Sequence, residues 1–289
     1  MKKLFALLLA FTMSLSLVAC GGNDAAEEAP AEDTAAEETA NGETAPESDA
    51  AYIEGNGKLV VGITIYEPMN YYDEAGNLTG FDTEFAQAVC DKMGLEAEFQ
   101  EINWDTKEIE LAGKTIDCIW NGMTITPDRT ANMSISLPYV KNAQVIVVKA
   151  DSAYASTADL VDATLVAEVG SAGEAQIEGE EANADLAQAE YVGMSKQTDC
   201  LMEVKAGTAD AAVLDWTLAK SMVGEGTDFA DLKMMEGVEL ATEEYGIAFR
   251  QGSDFTAKVD EAVKALVADG TLPALAEKYG LALAPAIAG

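Results

Sequence analysis

The stretch Asn121-Gly-Met-Thr-Ile-Thr-Pro-Asp-Arg129 contains the most informative junction between a strand and a helix in this chain. It follows residues 115–120, which are mostly apolar over the length of a strand and fit the interior of a sheet. Thr126 followed by Pro127 has the order of an N-cap and a first helical residue, which places Arg129 in the first helical turn. A guanidinium can bind a carboxylate through two parallel hydrogen bonds. The stretch therefore predicts an anion-binding site, with a surface arginine on an ordinary loop as the alternative.

Strand and helix patterns alternate from residue 58 to about residue 147, and the pattern starts again at about residue 156. Alternation of this kind predicts an α/β fold with parallel sheets covered by helices. The predicted strands are 58–64, 96–102, 115–120, 144–149, 164–169, a segment near Tyr191, 209–214 and 245–250. The predicted helices are 81–94, 106–112, a segment after Ser171, 195–205 and 254–269.

Two further candidate sites follow apolar strands, at the ends where parallel sheets place their ligands. Ser171 and Glu174 have the spacing of a capping box, and the free N–H groups at the start of the following helix favour an anion. Asp215 directly follows the apolar residues 211–214. Both have a structural alternative, because Ser171 and Asp215 could simply cap the helices that follow them.

The N-terminus has the pattern of a secretory signal over residues 1–19. Lys2 and Lys3 precede a largely apolar run that is too short for a good transmembrane helix, and no later segment approaches the length of one. The small residues before Cys20 resemble the lipobox of bacterial lipoproteins, which implies cleavage before Cys20 and attachment of lipid to its sulfur. Stable anchoring needs more than one acyl chain. We therefore expect an extracytoplasmic, lipid-anchored protein, with plain secretion as the alternative.

Residues 21–57 contain eleven acidic residues and no basic one, and they show no apolar periodicity. Such a segment cannot bury enough apolar surface to fold. We predict that residues 20–56 form a disordered acidic tether between the lipid and the folded part. The formal net charge of the chain is −34, which argues against nucleic acid as a partner.

The composition offers little for a metal or a cofactor, because the chain has no histidine and no CxxC motif. Residues 73–77 do not continue into a calcium-binding loop, since Leu78 stands where glycine is needed. We therefore expect neither a metal nor a cofactor. Cys90, Cys118 and Cys200 lie within helical or apolar strand patterns, which favours buried, inert thiols. A disulfide between Cys90 and Cys118 is the weaker alternative.

Several short motifs occur in a fixed order along the chain: Leu59-Val-Val-Gly62, Gly80-Phe-Asp82, Gly122 to Arg129 with Pro138-Tyr139, Val169-Gly-Ser171, Ala209 to Asp215, Tyr245-Gly-Ile-Ala248 and Asp269-Gly-Thr-Leu272. This ordered set resembles the polar amino acid-binding proteins of bacterial ABC uptake systems, family 3 of the extracellular solute-binding proteins. The resemblance covers nearly all of residues 58–280.

The resemblance implies a two-lobed periplasmic-binding-protein-like fold of type II. In this fold two α/β lobes, joined by two hinge strands, close on an amino acid. Lobe 1 would cover residues 57–139 and 245–289, and lobe 2 would cover residues 144–240.

The resemblance also implies how the carboxylate end of the ligand is bound. Arg129 would bind the α-carboxylate in a bidentate manner. Thr124 from lobe 1 and the region of Ser171 and Ala172 from lobe 2 would assist it.

The other end of the ligand would be bound by acceptors. Asp215 would bind the α-ammonium group, with further acceptors from the Gly122 carbonyl and the Thr124 hydroxyl. Tyr66 and Trp104 fall where the family places aromatic side chains beside the ligand.

The function implied by the resemblance is that of a monomeric binding protein that captures a polar L-α-amino acid and delivers it to an ABC permease. An enzyme of the dehydratase type and a sensory module are the alternatives. The absence of histidine and of a GxSxG motif disfavours an enzyme. Polar neutral, cystine-like and cationic ligands all remain open. Glu67 and Glu108 could suit a cationic ligand, although charged residues of so acidic a chain are more often simply solvated.

Overall fold

The structure, a computed structural model, describes residues 48–180 and 182–288, and residues 45–289 form one compact unit. The α-helices are α1 (Asp49–Asn56), α2 (Phe81–Met93), α3 (Lys107–Ala112), α4 (Pro127–Asn132), α5 (Ala172–Glu178), α6 (Gln197–Ala206), α7 (Trp216–Met222), α8 (Phe255–Ala268) and α9 (Thr271–Tyr279). The strands are β1 (Lys58–Ile63), β2 (Tyr71–Tyr72), β3 (Leu78–Thr79), β4 (Glu96–Glu101), β5 (Cys118–Thr124), β6 (Met133–Ile135), β7 (Val140–Lys149), β8 (Thr164–Glu168), β9 (Glu190–Met194), β10 (Ala211–Asp215) and β11 (Leu232–Arg250). The predicted signal sequence, Cys20 and residues 20–47 of the predicted tether lie outside the described residues.

Within the described part of the chain, nine strands form one sheet in the order β4-β1-β5-β11-β7-β10-β8-β9, with β6 paired to β11. β1 lies parallel to β4 and β5, and β8 lies parallel to β9 and β10. β7 and β11 lie antiparallel to their neighbours. The predicted α/β fold class is confirmed.

The two central strands, β7 and β11, connect the two parallel parts of the sheet. β11 is 19 residues long and pairs with β5 near one end and with β7 along most of its length. The segments that join the predicted lobes pair with each other, because residues 140–143 face residues 242–245 in antiparallel register. This pairing is what a fold with two hinge strands requires, and the predicted lobe boundaries remain a prediction.

Helices α2 and α8 bury one apolar face against the strands, as their sequence periodicity predicts. In α8 the five residues predicted to face inward are all buried: Phe255, Val259, Ala262, Val263 and Leu266. Burying a large apolar side chain of this kind contributes roughly 1.5–3 kcal/mol.

The cysteines belong to the same interior. Cys90, Cys118 and Cys200 are buried free thiols, so the Cys90–Cys118 disulfide is not formed. Burial raises the pKa of the Cys90 thiol to about 12, which keeps it protonated and inert.

Helix α1 corrects the predicted extent of the tether. Residues 49–56 form this helix, Ile53 is buried in the core, and Asp49 makes an ion pair of 2.7 Å with Arg250. Ser48 caps the helix by accepting a hydrogen bond from the N–H of Ala51. The prediction that residues 48–56 belong to a disordered segment is therefore wrong, because this short acidic stretch contains an apolar residue that the core accepts.

The strand before the arginine motif also has different bounds from those predicted. β5 begins at Cys118 and continues to Thr124, so Gly122 and Thr124 lie in a strand and not in a loop. The predicted N-cap at Thr126 and the proline at the first helical position are confirmed in α4. Among the described helices, none is long and apolar enough to cross a membrane.

Candidate functional site

The carboxyl ends of β1, β5, β8 and β10 meet at a small cavity. The eight residues predicted to bind a ligand all line this cavity: Tyr66, Trp104, Gly122, Thr124, Arg129, Ser171, Ala172 and Asp215. Five further residues complete its lining: Thr64, Ile65, Asn121, Glu168 and Gln197. Glu67 and Glu108 are not among the lining residues. Glu67 instead accepts a hydrogen bond of 3.0 Å from Ser221.

Arg129 is a buried cation, so the alternative of an ordinary surface arginine is wrong. Its side chain projects from the first turn of α4, and the residue is only 7% exposed. The guanidinium donates hydrogen bonds to the carbonyl oxygens of Thr124, at 2.8 Å, and of Gly170, at 3.0 Å. Its central carbon lies 6.0 Å from the centre of the Trp104 ring. These contacts fix the guanidinium at the cavity, and a guanidinium has further N–H donors.

Lys107 lies beside Arg129, at a position that no sequence pattern predicts. Its ammonium donates to the carbonyl oxygens of Trp104, at 3.1 Å, and of Gly170, at 3.0 Å, and lies 4.9 Å from the centre of the Trp104 ring. Burial and the positive charge of Arg129 lower the pKa of Lys107 to about 8. Two cations therefore bind the same carbonyl group.

Ser171 is the N-cap of α5 and forms only one half of the predicted capping box. Its hydroxyl accepts a hydrogen bond of 3.1 Å from the N–H of Glu174. The carboxylate of Glu174 accepts from the N–H of Gly170 instead of from that of Ser171. Ser171 thus caps the helix and also lines the cavity.

Asp215 ends β10 with its carboxylate in a network of amide groups. It accepts hydrogen bonds from Asn142 at 2.5 Å, from Gln144 at 2.8 Å and from Gln197. Asp215 stands at the N-cap position of α7, as the structural alternative expects, but its side chain makes no capping hydrogen bond to this helix. Burial raises the pKa of Asp215 above its ordinary value.

Glu243, on β11, is a second carboxylate in the same network. Its Oε1 atom accepts from Thr124 at 2.8 Å, from Asn142 at 2.6 Å and from Gln144 at 2.8 Å. Asp215 and Glu243 thus share two amide donors. Burial and the negative charge of Asp215 raise the pKa of Glu243 to about 7.

Tyr66 and Gly122 form the wall of the cavity near β5. The hydroxyls of Tyr66 and Tyr245 are 2.6 Å apart. Gly122 has a φ of 56°, and a Cβ atom at this position would lie 2.5 Å from Cε1 of Tyr66. Its N–H donates to the buried carboxylate of Asp82 at 2.7 Å. Only glycine fits this position without a shift of its neighbours.

A protein family described as the bacterial extracellular solute-binding proteins, family 3, has a sequence model that matches residues 59–282. The chain belongs to this family. The resemblance predicted from the ordered motifs is thereby confirmed.

Named relatives of this family 3 solute-binding protein include binding proteins for two different amino acids. The arginine-binding extracellular protein ArtP of Bacillus subtilis is 28% identical over 282 residues, which cover 96% of this chain and 98% of ArtP. The L-cystine-binding protein TcyJ of Escherichia coli is 29% identical over 231 residues, which cover 78% of this chain and 84% of TcyJ.

A solved structure connects the fold with an enzyme lineage. The ancestral amino acid-binding protein AncCDT-1, described as a precursor of cyclohexadienyl dehydratase, superposes with a TM-score of 0.71 at 29% identity. The superposition covers 80% of this chain and 99% of AncCDT-1.

No sequence pattern predicts the positions of three charged residues of this family 3 protein: the buried Lys107 and Glu168, and the half-buried Glu243. Each is charged in a chain with 51 acidic and 17 basic residues, where such residues are usually solvated. Their burial follows from tertiary packing and leaves no local pattern. For Glu168 one signal existed, because it ends an apolar strand just as Asp215 does.

Proposed function

We propose that this chain captures a free polar L-α-amino acid in the cavity and delivers it to the permease of an ABC uptake system. The observation that carries the proposal is that Arg129 and Asp215, two buried groups of opposite charge, line the same cavity. A zwitterion that leaves water needs a partner for each of its charges, because an unpaired buried charge is strongly unfavourable. The similarity to ArtP, an arginine-binding protein, and to TcyJ, a cystine-binding protein, supports an amino acid as the ligand.

Arg129 binds the α-carboxylate in this proposal. The carbonyl oxygens of Thr124 and Gly170 hold its guanidinium in place, which leaves other N–H donors for a bidentate contact. Thr124, Ser171 and Ala172 line the same part of the cavity and add donors from their backbone or hydroxyl groups.

Asp215 binds the α-ammonium group, with the Gly122 carbonyl as a further acceptor. Asn142 and Gln144 hold the carboxylate of Asp215 in place and also donate to Glu243, which does not itself line the cavity. Tyr66 and Trp104 enclose the remaining sides of the ligand. This proposal restricts the ligand to molecules with both a carboxylate and an ammonium group.

We further propose that residues 57–139 and 245–289 form lobe 1, and that residues 144–240 form lobe 2. Arg129 of lobe 1 and Asp215 of lobe 2 would then hold opposite ends of the ligand, which favours the closed arrangement. The hydrogen bonds from Arg129 and Lys107 to Gly170 would join the lobes directly.

The cellular setting is also proposed. Residues 1–19 would direct export, and lipid attached to Cys20 would anchor a monomeric protein at the outer surface of the cell membrane. The permease would receive the amino acid from this anchored protein. The protein binds its ligand without converting it, and incubation with the bound amino acid should leave the ligand mass unchanged on mass spectrometry.

Isothermal titration calorimetry of the 45–289 fragment against the common amino acids tests the function. We expect saturable 1:1 binding, because the fragment contains the whole cavity and forms one compact unit. The Arg129→Ala and Asp215→Asn variants should each lose about 2–5 kcal/mol of binding free energy, since each leaves one ligand charge buried without a partner.

Matched controls at exposed positions separate these effects from a change in net charge. Lys92→Ala removes a cation from a surface ion pair with Asp269, and Asp228→Asn changes an exposed carboxylate. Both controls should bind the ligand as the unsubstituted protein does. Unchanged affinity in the Arg129 variant would contradict the assigned carboxylate site.

A further inference from the structure

Glu168 ends β8 and lines the cavity, but the proposed contacts of the α-carboxylate and the α-ammonium group do not involve it. The residue is 4% exposed and lines the cavity. Its backbone carbonyl accepts from the N–H of Ser171, but its side chain makes no hydrogen bond or ion pair with any residue that the structure describes. The buried Asp215 and the half-buried Glu243, in contrast, both accept hydrogen bonds from Asn142 and Gln144. A carboxylate buried without a partner is unfavourable, so Glu168 indicates a donor that arrives with the ligand.

The charges around the cavity indicate what kind of donor this is. Arg129 is the one cation among the described lining residues, whereas Glu168 and Asp215 are both acidic. A zwitterion would pair its carboxylate with Arg129 and its ammonium group with Asp215. Glu168 would remain unpaired. A positive charge on the ligand side chain would give Glu168 an oppositely charged partner.

We propose that Glu168 forms a subsite for a positively charged side chain, so that the cavity selects a cationic amino acid over a neutral one of the same shape. The inference rests on the proposed function, because it takes Arg129 and Asp215 as the sites of the α-carboxylate and the α-ammonium group. Arginine, lysine and ornithine have the required chemistry.

None of the cations in the described part of the chain pairs with Glu168. The ammonium of Lys107 is held by the carbonyl oxygens of Trp104 and Gly170. Lys196 is exposed. It lowers the pKa of Glu168, whereas the exposed Asp199 and the buried Asp215 raise it. These four charged groups are the ones that act on Glu168, and none forms an ion pair with it.

The protonation of Glu168 gives the subsite a second signature. Burial and the negative charge of Asp215 raise the pKa of Glu168 to about 8, so the free protein carries a proton there at neutral pH. A cationic side chain favours the carboxylate and lowers this pKa, which releases the proton. The affinity for a cationic ligand should therefore rise with pH up to about 8 and then level off.

Calorimetric titration of the 45–289 fragment with L-arginine and with L-citrulline, its neutral isostere, tests the proposal. Glu168→Gln keeps the shape of the side chain and removes its charge. We expect the unsubstituted fragment to bind arginine at least about tenfold more tightly than citrulline. In the variant, the affinity for arginine should fall about thirtyfold or more, while the affinity for citrulline should change little.

Proton release adds a measurement that a purely structural role of Glu168 would not change. Titrations at pH 7 in two buffers of different ionisation enthalpy should show that arginine releases more protons from the unsubstituted fragment than from the variant. The variant is the reference, because Asp215 and Glu243 also respond to the α-ammonium group of any amino acid. Glu190→Gln, the same change at an exposed position, should leave both affinity and proton release unaltered.

The outcomes separate the two proposals. Binding of citrulline or another neutral amino acid as tightly as arginine, or equal losses for both ligands in Glu168→Gln, would overturn the cationic subsite and leave the proposed function intact. If no amino acid binds the unsubstituted fragment, both proposals fail. Lysine with norleucine as its neutral counterpart repeats the comparison for an ammonium side chain.

Discussion

At the scale of single residues, Gly122 shapes the cavity by having no side chain. Gly122→Ala would place a Cβ atom 2.5 Å from the ring of Tyr66 and would add strain at a φ of 56°. We expect a loss of roughly 1–3 kcal/mol in the free energy of unfolding, together with weaker ligand binding, because the Tyr66 ring must shift. Urea unfolding and calorimetric titration measure these two effects.

Gly76→Ala is the matched control for backbone strain. Gly76 has a φ of 82°, but a Cβ atom there would meet no atom within 4 Å. This variant should lose only about 1 kcal/mol, which is the cost of the left-handed conformation, and should keep its affinity. Equal effects of the two substitutions would show that the contact with Tyr66 is unimportant.

The predictability of the site differs between its residues. Arg129 and Asp215 follow apolar strands within recognisable motifs, and their approximate positions in the fold could be predicted from that order. Glu243 has no such signal, because it lies beside Glu244 in a polar part of β11, at residues 242–244. The amide groups that donate hydrogen bonds to Glu243 belong to β7, which is distant in sequence.

At the scale of elements, α1 stabilises the fold without contributing to the cavity. Ile53 of this helix is fully buried, so Ile53→Ala should cost about 2–5 kcal/mol in the free energy of unfolding. Ligand affinity should not change, because no residue of α1 lines the cavity. Chemical denaturation and titration of the same variant check both statements.

Glu54→Ala is the control on the same helix. Glu54 forms an exposed ion pair with Lys258, and such pairs contribute about 0–1 kcal/mol. A fragment that begins at residue 57 should likewise be less stable than one that begins at residue 45. Equal stability of the two fragments would mean that α1 does not belong to the cooperative unit.

The elements themselves were largely predictable because most have a clear apolar period. α8 and β1 closely match the predicted positions, since their buried faces repeat regularly. α1 was missed because only two of its residues are buried, within an acidic context that predicts disorder. The first part of β11 was missed because it continues from one neighbour to another and has no single buried face.

At the scale of the whole molecule, buried carboxylates make stability depend on pH. Burial raises the pKa of Asp82 from 3.8 to about 7, so folding favours its protonated form. This contribution is fully present at pH values below about 4, is lost as the pH rises to about 7, and stays lost above that. We expect the stability of the unsubstituted protein, relative to Asp82→Asn, to fall across this range.

Urea unfolding of both proteins without ligand at several pH values provides the measurement. The substitution keeps an oxygen that can accept from the N–H of Gly122 and the hydroxyl of Tyr139, so the fold should be retained. A difference in stability that is independent of pH would contradict the raised pKa of Asp82. Glu168 and Glu243 are present in both proteins, so their contributions to the pH dependence of stability cancel in the comparison.

The arrangement of the whole sheet could not be derived from strand patterns alone. The alternation of strands and helices predicts parallel sheets, but it does not give the position of β11 between β5 and β7. That position is reached only because the chain, after β10, passes back to the centre of the sheet. The family resemblance implies two hinge strands, but it does not name the neighbours of β11.

The antiparallel pairing of residues 140–143 with residues 242–245 limits how the proposed lobes could move relative to each other. An unbroken hydrogen-bonded ladder does not allow one strand to slide along the other, whereas it tolerates twisting and bending. The register irregularities in the pairing of β11 with β7 lie between Met234 and Ala241, outside this ladder. Opening and closing would thus be a rotation that conserves the backbone pairing, and such rigid-body rotations typically take on the order of microseconds to milliseconds.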